Sequence, residues 1–244
     1  STASCRIMYG EYCVPQLSHQ ANGKFAVTEM YHPLIPEGVR NSITAERSVL
    51  LTGSNASGKS TFIKTVALNA ILAQTLHTVL AENYQASWFC IASSMALRDD
   101  ILSQESYYIV EIRSLKRILD LTRLSELPVL CFIDEVLRGT NTVERIAASS
   151  RILQAIAEQG GLCFAATHDI ELTYLLEKEY DNYHFEEQVE DDKVTFDYCL
   201  HEGRACTRNA IRLLKMLGYD EKIVDDANER VALFLKSGNW VSSH

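Results

Sequence analysis

A short run between two glycines contains residue types that can bind the phosphates of a nucleotide. It reads Gly53-Ser-Asn-Ala-Ser-Gly58-Lys59-Ser60-Thr61 and fits the pattern G-x-x-x-x-G-K-[ST]. The glycines let the backbone turn so that successive N–H groups can point at phosphate oxygens. Lys59 is expected to reach the β- and γ-phosphates, and the Ser60 hydroxyl to ligate Mg²⁺. The predicted phosphate loop comprises Gly53, Ser54, Asn55, Ala56, Ser57, Gly58, Lys59, Ser60 and Thr61.

A second run supplies the carboxylates that nucleotide hydrolysis needs. The apolar residues from Val129 to Ile133 are typical of a strand buried on both faces, and Asp134 and Glu135 follow directly. At the carboxyl end of such a strand Asp134 can reach Mg²⁺. Glu135 is then placed to orient or deprotonate the attacking water. Taken alone, the two carboxylates could equally be a solvated acidic pair; beside a phosphate loop they predict a hydrolytic site.

The elements around the loop suit this chemistry. Ser48 to Leu51 is apolar and short, as a buried strand should be, and a helix is predicted from Thr61 to Leu80. A loop between a strand and a helix N-terminus surrounds an anion with backbone donors and the positive end of the helix dipole. The helix is predicted to bury an apolar side made of Val66, Leu68, Ile71, Leu72 and Leu76.

Alternating strands and helices predict an α/β fold with a mostly parallel sheet, whose strands end at the nucleotide. The first 47 residues are expected to form a small antiparallel β-hairpin or edge region, with a turn signal at Asn22-Gly23. Further predicted elements are a strand from Ala86 to Ser93, a helix from Glu111 to Leu124, a helix from about Val143 to Gln159, a strand from Leu162 to Thr167, a helix from about Ile170, and two strands between Asn182 and Leu200.

The C-terminal tail has a helix-turn-helix outline. One helix is predicted from Asn209 to Leu217, and Asp220 is expected to cap a second helix that runs to about Leu235. Residues 1–204 are therefore assigned to a phosphate-loop domain and residues 205–244 to a helical tail. Packing or dimerisation is favoured over DNA reading, because a groove-reading helix needs Lys and Arg where this one has Glu221, Asp225, Asp226 and Glu229.

Composition narrows the class of protein. With 47% apolar and 23% charged residues the chain is globular, and its net charge of −9 argues against holding DNA by itself. Seven scattered cysteines without metal-ligand spacing indicate a reducing compartment, so we expect a cytoplasmic or nucleoid-associated protein. No signal peptide or membrane-spanning stretch is evident, so no membrane partner is expected. Because it lacks an initiator Met, the chain is expected to be a piece of a longer protein.

Three further runs resemble those of the MutS family of DNA mismatch-repair ATPases. Asp134-Glu-Val-Leu-Arg-Gly139-Thr-Asn-Thr142 resembles its D-E-x-x-R-G-T-x-T, Ala166-Thr-His168-Asp-Ile-Glu-Leu-Thr173 its A-T-H-x-x-E-L-T, and Tyr31-His32-Pro33-Leu34 its R-H-P-[VL]. The resemblance runs in order from about Phe25 to Leu235. It implies an ABC-type ATPase that binds ATP and Mg²⁺ and forms a homodimer through its ATPase face and tail. DNA would be clamped by domains outside this chain.

The resemblance also implies roles for individual residues. His168 would sense the γ-phosphate beside Lys59 and Glu135, or would be a satisfied core histidine. Ser106 would reach the partner's γ-phosphate in trans, or would be an ordinary loop serine. Tyr198 would stack on adenine, or would be a strand core residue. Val39 takes a position where family members often have an aromatic residue, and Asn141 lies in a loop that often contacts the opposing site.

Departures from the family pattern leave two functions open. The family usually has Pro, Met and Gly where this chain has Ser54, Ala56 and Ser57, and a Gly where its signature loop has Gln104. One interpretation is a divergent ATPase motor that couples hydrolysis to DNA clamping. The other is an ATP-dependent dimerisation switch with little turnover, acting on DNA structures other than mismatches. A transporter-type ABC domain is disfavoured, because the chain has no L-S-G-G-Q run.

Overall fold

The computed structural model describes residues 11–19, 23–35, 37–95, 107–137, 140–190, 193–205 and 210–238. They form a mixed α/β fold, as the sequence predicts. The strands are β1 (Gln16–Ser18), β2 (Phe25–Met30), β3 (Asn41–Ala45), β4 (Ser48–Thr52), β5 (Asn83–Ser87), β6 (Cys90–Ser94), β7 (Val129–Asp134), β8 (Leu162–Ala166), β9 (Tyr180–His184), β10 (Glu187–Glu190), β11 (Lys193–Phe196) and β12 (His201–Glu202). The helices are α1 (Lys59–Leu76), α2 (Tyr107–Leu124), α3 (Thr142–Glu158), α4 (Leu172–Leu175), α5 (Ala210–Met216) and α6 (Glu221–Ser237).

The larger sheet has the order β12-β9-β4-β8-β7-β6. Its strands from β9 to β6 run parallel, and only β12 pairs antiparallel within it. Every residue of β4, β7 and β8 is buried, because helices or a second sheet cover both faces. Alternate residues of one strand enter different cores: Leu51 packs with α1, whereas Leu50 packs with α2 and α3. Because the strands from β9 to β6 run parallel, their carboxyl ends lie at the same edge of the sheet.

The smaller sheet departs from the predicted N-terminal hairpin. Its order is β1-β5-β2-β3, so β5 lies between β1 and β2 and the two strands do not pair with each other. The antiparallel pairing that the sequence leads us to expect forms instead between β2 and its neighbours β3 and β5. Asn22 of the predicted turn lies outside the described residues.

The single strand predicted from Ala86 to Ser93 is wrong. The structure has two strands there, β5 and β6, and they belong to different sheets. Between them the side-chain amide of Gln74 accepts from the Phe89 N–H at 2.8 Å and donates to the Phe89 carbonyl at 3.1 Å. A helix side chain thus satisfies the connector's backbone in place of a strand partner, which no local alternation of residues could indicate.

Helix α1 buries only part of the side that was predicted. Val66 is buried as expected, but Leu68, Ile71 and Leu76 are exposed, and the buried side also carries the fully buried Asn69. The Asn69 side chain donates to the Tyr31 carbonyl and accepts from the Leu80 N–H, so a polar residue is satisfied inside the core. The buried apolar residues of α1 are Phe62, Ile63, Val66, Ala67, Ala70 and Ala73. The helix also ends earlier than predicted, because His77 takes a left-handed conformation.

The C-terminal part contains the predicted pair of helices, α5 and α6. The Asp220 side chain accepts from the Lys222 N–H at 2.8 Å and so caps α6, as expected. Val224 is buried, while the acidic residues of α6 are exposed. By contrast, the helix predicted from about Ile170 is the single turn α4. Within the described ranges no helix is both long and apolar enough to cross a membrane.

Candidate active site

The glycine loop joins the end of β4 to the start of α1. Gly53 has a φ of 142° and Gly58 a φ of 112°, and both values lie where side chains other than glycine are strained. A Cβ at position 53 would also lie 2.7 Å from the Phe185 carbonyl oxygen. Glycine is therefore required at position 53, and the two glycines account for the shape of the loop.

Lys59 lies inside this loop. Its ammonium group donates to the carbonyl oxygens of Gly53 and Ser54, both at 2.7 Å, and the residue is buried. Helix α1 starts without a side-chain cap and without an acidic residue in its first turn. The hydroxyls of Ser54 and Ser57 are also buried, and among the described residues they have no hydrogen-bond partner. The loop therefore gathers a cation, helix N–H groups and unsatisfied hydroxyls, which together suit a polyanion.

Asp134 reaches the loop from the next strand but one. In the sheet, Asp134 is in register with Ala166 of β8, and Ala166 with Leu51 of β4. This arrangement lets the Ser60 hydroxyl donate to the Asp134 carboxylate at 3.0 Å. A hydroxyl and a carboxylate in contact at a phosphate-type loop are oxygen ligands of the kind that Mg²⁺ prefers.

Glu135 and His168 form a hydrogen-bonded pair beside Asp134. The ring N–H of His168 donates from Nε2 to the Glu135 carboxylate at 2.9 Å. The Glu135 backbone has a φ of 62° and its N–H donates to the Ala166 carbonyl, so the carboxylate leaves the sheet at the strand end. The Glu135 side chain is only 13% exposed and that of His168 is 38% exposed. The carboxylate is thus partly shielded from water and fixed by the imidazole.

A side chain of α2 stabilises the turn that carries Glu135. Leu137 also has a positive φ, 58°, and its N–H donates to the carboxylate of Glu111, a buried residue. In the sequence analysis Glu111 is only the first residue of a predicted helix. In the structure its side chain connects that helix to the strained turn after Asp134.

An ion pair fixes the segment around His168. Arg145 of α3 donates from Nε and from a terminal nitrogen to the two oxygens of Asp169, at 2.8 and 2.6 Å. The hydrogen bond to Asp169 raises the pKa of Arg145 above its ordinary value. On the other side of His168, Thr167 donates its N–H to the Leu51 carbonyl. No sequence pattern indicated this pair, because its members come from different elements, Arg145 lies in no motif and Asp169 takes a variable position of one.

A cavity of about 670 Å³ opens beside the loop. Its walls combine loop residues with residues of the smaller sheet and of the segment after β11. Tyr198 lies close over the loop, since a Cβ on Gly58 would be 3.3 Å from the tyrosine Cδ1. The lining includes Met30, Tyr31, His32, Ile35, Val39, Asn41, residues 54–62, Thr65, Glu135 and Tyr198. The volume lies in the range of small-molecule sites.

His32 lines this cavity from the segment after β2. Burial and, to a smaller extent, the charge of Lys64 lower the pKa of His32 below its ordinary value. The Leu34 N–H donates to Nδ1 at 3.1 Å, which leaves the proton of the neutral ring on Nε2. The sequence placed His32 in a family-like run without giving it a role, and it missed Asn41 altogether.

The structure brings together most of the residues that the sequence selected. The glycine loop, Asp134, Glu135 and His168 meet at one sheet edge, and Tyr198 and Val39 line the adjoining cavity. Asn141 caps α3, because its side chain accepts from the Val143 N–H at 2.9 Å. Ser106 lies outside the described residues, so its proposed role in trans stays a prediction.

Fold and site together define a mixed α/β protein in which a lysine-bearing glycine loop, an acidic strand end and a histidine converge. The family model described as MutS domain V matches residues 49–234, most of the chain. The chain therefore belongs to the MutS family.

Three similar proteins support the family assignment. The chain is 31% identical over 227 residues to the DNA mismatch repair protein MutS of Natronomonas pharaonis, covering 90% of this chain and 26% of the relative. It is 33% identical over 235 residues to the MutS of Pseudothermotoga lettingae, covering 91% of this chain and 28% of the relative. Against the MutS of Thermus thermophilus it is 30% identical over 207 residues, with 84% and 25% covered. The chain thus spans about a quarter of the length of these relatives.

Proposed function

We propose that this chain is the ATP-binding and ATP-hydrolysing domain of a MutS-like DNA mismatch-repair protein. The observation that carries the proposal is the contact of Ser60, at the start of α1, with Asp134, at the carboxyl end of β7, beside the Glu135–His168 pair. A phosphate-loop ATPase needs a metal-binding oxygen pair and a positioned carboxylate at this place.

The loop supports binding of a triphosphate. Lys59 would pair with the β- and γ-phosphates, exchanging its bonds to loop carbonyls for stronger charge-assisted ones. The buried Ser54 and Ser57 hydroxyls, unsatisfied within the described chain, could donate to phosphate oxygens. Ser60 and Asp134 would hold Mg²⁺, which neutralises charge on the phosphates. The remainder of the loop, including Asn55, Gly58 and Thr61, would supply backbone and side-chain donors.

Glu135 is the residue proposed to activate water. A carboxylate at the edge of the cavity can accept a proton from the water that attacks the γ-phosphate. His168 would keep that carboxylate oriented through its Nε2–H. Its imidazole would lie near the γ-phosphate and sense its negative charge. Lys59 would stabilise negative charge on the phosphate during transfer.

Action on DNA would depend on parts of the protein outside this chain. The chain has a net charge of −9, and α6 exposes carboxylates where a DNA-reading helix would expose basic groups. The relatives, named as mismatch repair proteins, are about four times longer than the match. We therefore propose that ATP-driven changes of a homodimer are passed to DNA-clamping domains. The exposed apolar residues of the tail, among them Leu217, Tyr219, Ile223 and Leu233, suit a dimer contact.

A dimerisation switch with little turnover is the second candidate. It is favoured by one observation: the signature-like run has Gln104 where the family has glycine. If that loop completes the opposing site poorly, ATP would join two copies without rapid hydrolysis. Steady-state phosphate release by the full-length protein separates the two functions, because only the first predicts sustained turnover.

Calorimetric titration with ATP and Mg²⁺ tests the proposed site. Lys59→Ala should lower ATP affinity at least about tenfold, roughly 1.4 kcal/mol, because it removes the cation of the loop. Lys116→Ala is the matched control, since Lys116 lies in α2 and pairs with Asp120 at the surface. Unchanged binding by Lys59→Ala would remove this loop from the nucleotide site.

A further inference from the structure

Tyr198 presents an exposed ring over the cavity from a backbone conformation that tyrosine avoids. Its φ is 54°, in the left-handed region, and 46% of the residue is exposed. Its described ring contacts are slight: Phe196 lies 5.8 Å away between centroids, and Gly58 passes beneath. Core packing therefore does not dictate the position of the ring, and the backbone around it must be held by other groups.

Asn41 holds the backbone on one side. Its side-chain amide donates to the Tyr198 carbonyl at 3.0 Å and accepts from the Leu200 N–H at 2.7 Å. An asparagine amide can make this fork because it carries a donor and an acceptor side by side. Asn41 begins β3 opposite Met30, and both residues line the cavity. The fork thus joins the cavity wall to the tyrosine segment, across 157 positions of sequence.

Asp197 holds the same backbone from within the segment. Its carboxylate accepts from the Cys199 N–H at 3.0 Å and from the His201 ring at 2.8 Å. Partial burial raises the pKa of Asp197, but these two hydrogen bonds, together with the electrostatic attraction of His201 and a backbone hydrogen bond of Asp197 itself, keep that pKa below the ordinary value. His201 in turn pairs in register with His184 at the end of β9. Both neighbours of Tyr198 are thereby anchored to the sheet.

We infer that Asn41 and Asp197 are positioning residues for nucleotide binding, which fix Tyr198 as a platform for a purine base. This inference rests on the proposed function, because it assumes that the triphosphate lies in the glycine loop. A ring held over Gly58 can stack on a base next to that loop, and stacking needs the ring to be fixed in advance. The two residues should therefore affect recognition of the nucleoside and leave recognition of the phosphates unchanged.

The test compares two ligands on the full-length protein by calorimetry, MgATP and inorganic tripolyphosphate with Mg²⁺. Asn41→Ala should weaken MgATP binding about tenfold and leave tripolyphosphate binding within about twofold. Tyr198→Ala should have the same selective effect, and the double variant should lose little more than either single one. Asn182→Ala is the matched control, since Asn182 also donates its side-chain amide to a backbone carbonyl, that of Thr173, but outside the cavity.

Three results would overturn the inference. MgATP affinity could be unchanged in Asn41→Ala, tripolyphosphate affinity could fall in parallel, or the losses in the double variant could add. Asp197→Asn provides an independent perturbation if Asn41→Ala fails to fold, and it should show the same selectivity for MgATP. If the unaltered protein bound neither ligand, the proposed function itself would fail, which is a different outcome from loss of selectivity in the variants.

Discussion

Gly53→Ala should damage the loop much more than an alanine at another left-handed glycine. At Gly53 the φ of 142° alone would cost a residue with a side chain about 1–3 kcal/mol. The new Cβ would lie 2.9 Å from the Ser57 hydroxyl, which can rotate, and 2.7 Å from the Phe185 carbonyl, which is backbone and can move only with the end of β9. Strain and contact together should lower the free energy of unfolding by about 3 kcal/mol or more.

Gly160 provides the matched control. Its φ is also positive, 79°, but a Cβ there would meet nothing within 4 Å, so Gly160→Ala should cost only about 1 kcal/mol. Urea unfolding of the two variants should therefore show a difference of about 2 kcal/mol, and only Gly53→Ala should weaken ATP binding. Equal losses of stability would refute the argument that the Phe185 carbonyl excludes a side chain from the loop.

Two further predictions concern groups around the site. Arg145→Met should lower the free energy of unfolding by about 1–2 kcal/mol, because it removes the bidentate partner of Asp169. The Arg145 side chain is 23% exposed, so solvent screens the pair only partly. A double-mutant cycle with Asp169→Asn should show coupling, and strictly additive losses would contradict it. The depressed pKa of His32 means that the unfolded chain takes up a proton near pH 6.5 more readily than the folded one. Stability should therefore fall as pH drops from 7.5 to about 5.5, and His32→Asn should show a shallower fall than the unaltered protein.

The parts of the site that sequence could predict are those encoded in short continuous runs. The loop from Gly53 to Thr61 and the Asp134–Glu135 pair carry their own turn chemistry, and buried strands with parallel register must bring them to one edge. Family resemblance added His168, whose partner is Glu135.

Contacts between distant segments were beyond the reach of sequence patterns. The Asn41 fork on the Tyr198 segment depends on how the smaller sheet meets the segment after β11, a contact between residues far apart in sequence. The buried side of α1 was misjudged for a related reason. Asn69 is satisfied there by the backbone of Tyr31 and Leu80, so polarity along the helix does not report exposure.

The measurement that tests the central claim most directly is turnover and binding of MgATP by the full-length Glu135→Gln variant. The change keeps the shape of the side chain and leaves Ser60 and Asp134 in contact, so MgATP affinity should stay within about threefold while phosphate release falls by about 10²-fold or more. Glu158→Gln, at an exposed carboxylate near the end of α3, should leave both quantities unchanged. Phosphate release near the level of the unaltered protein in Glu135→Gln would contradict the assignment of this strand end as the hydrolytic centre.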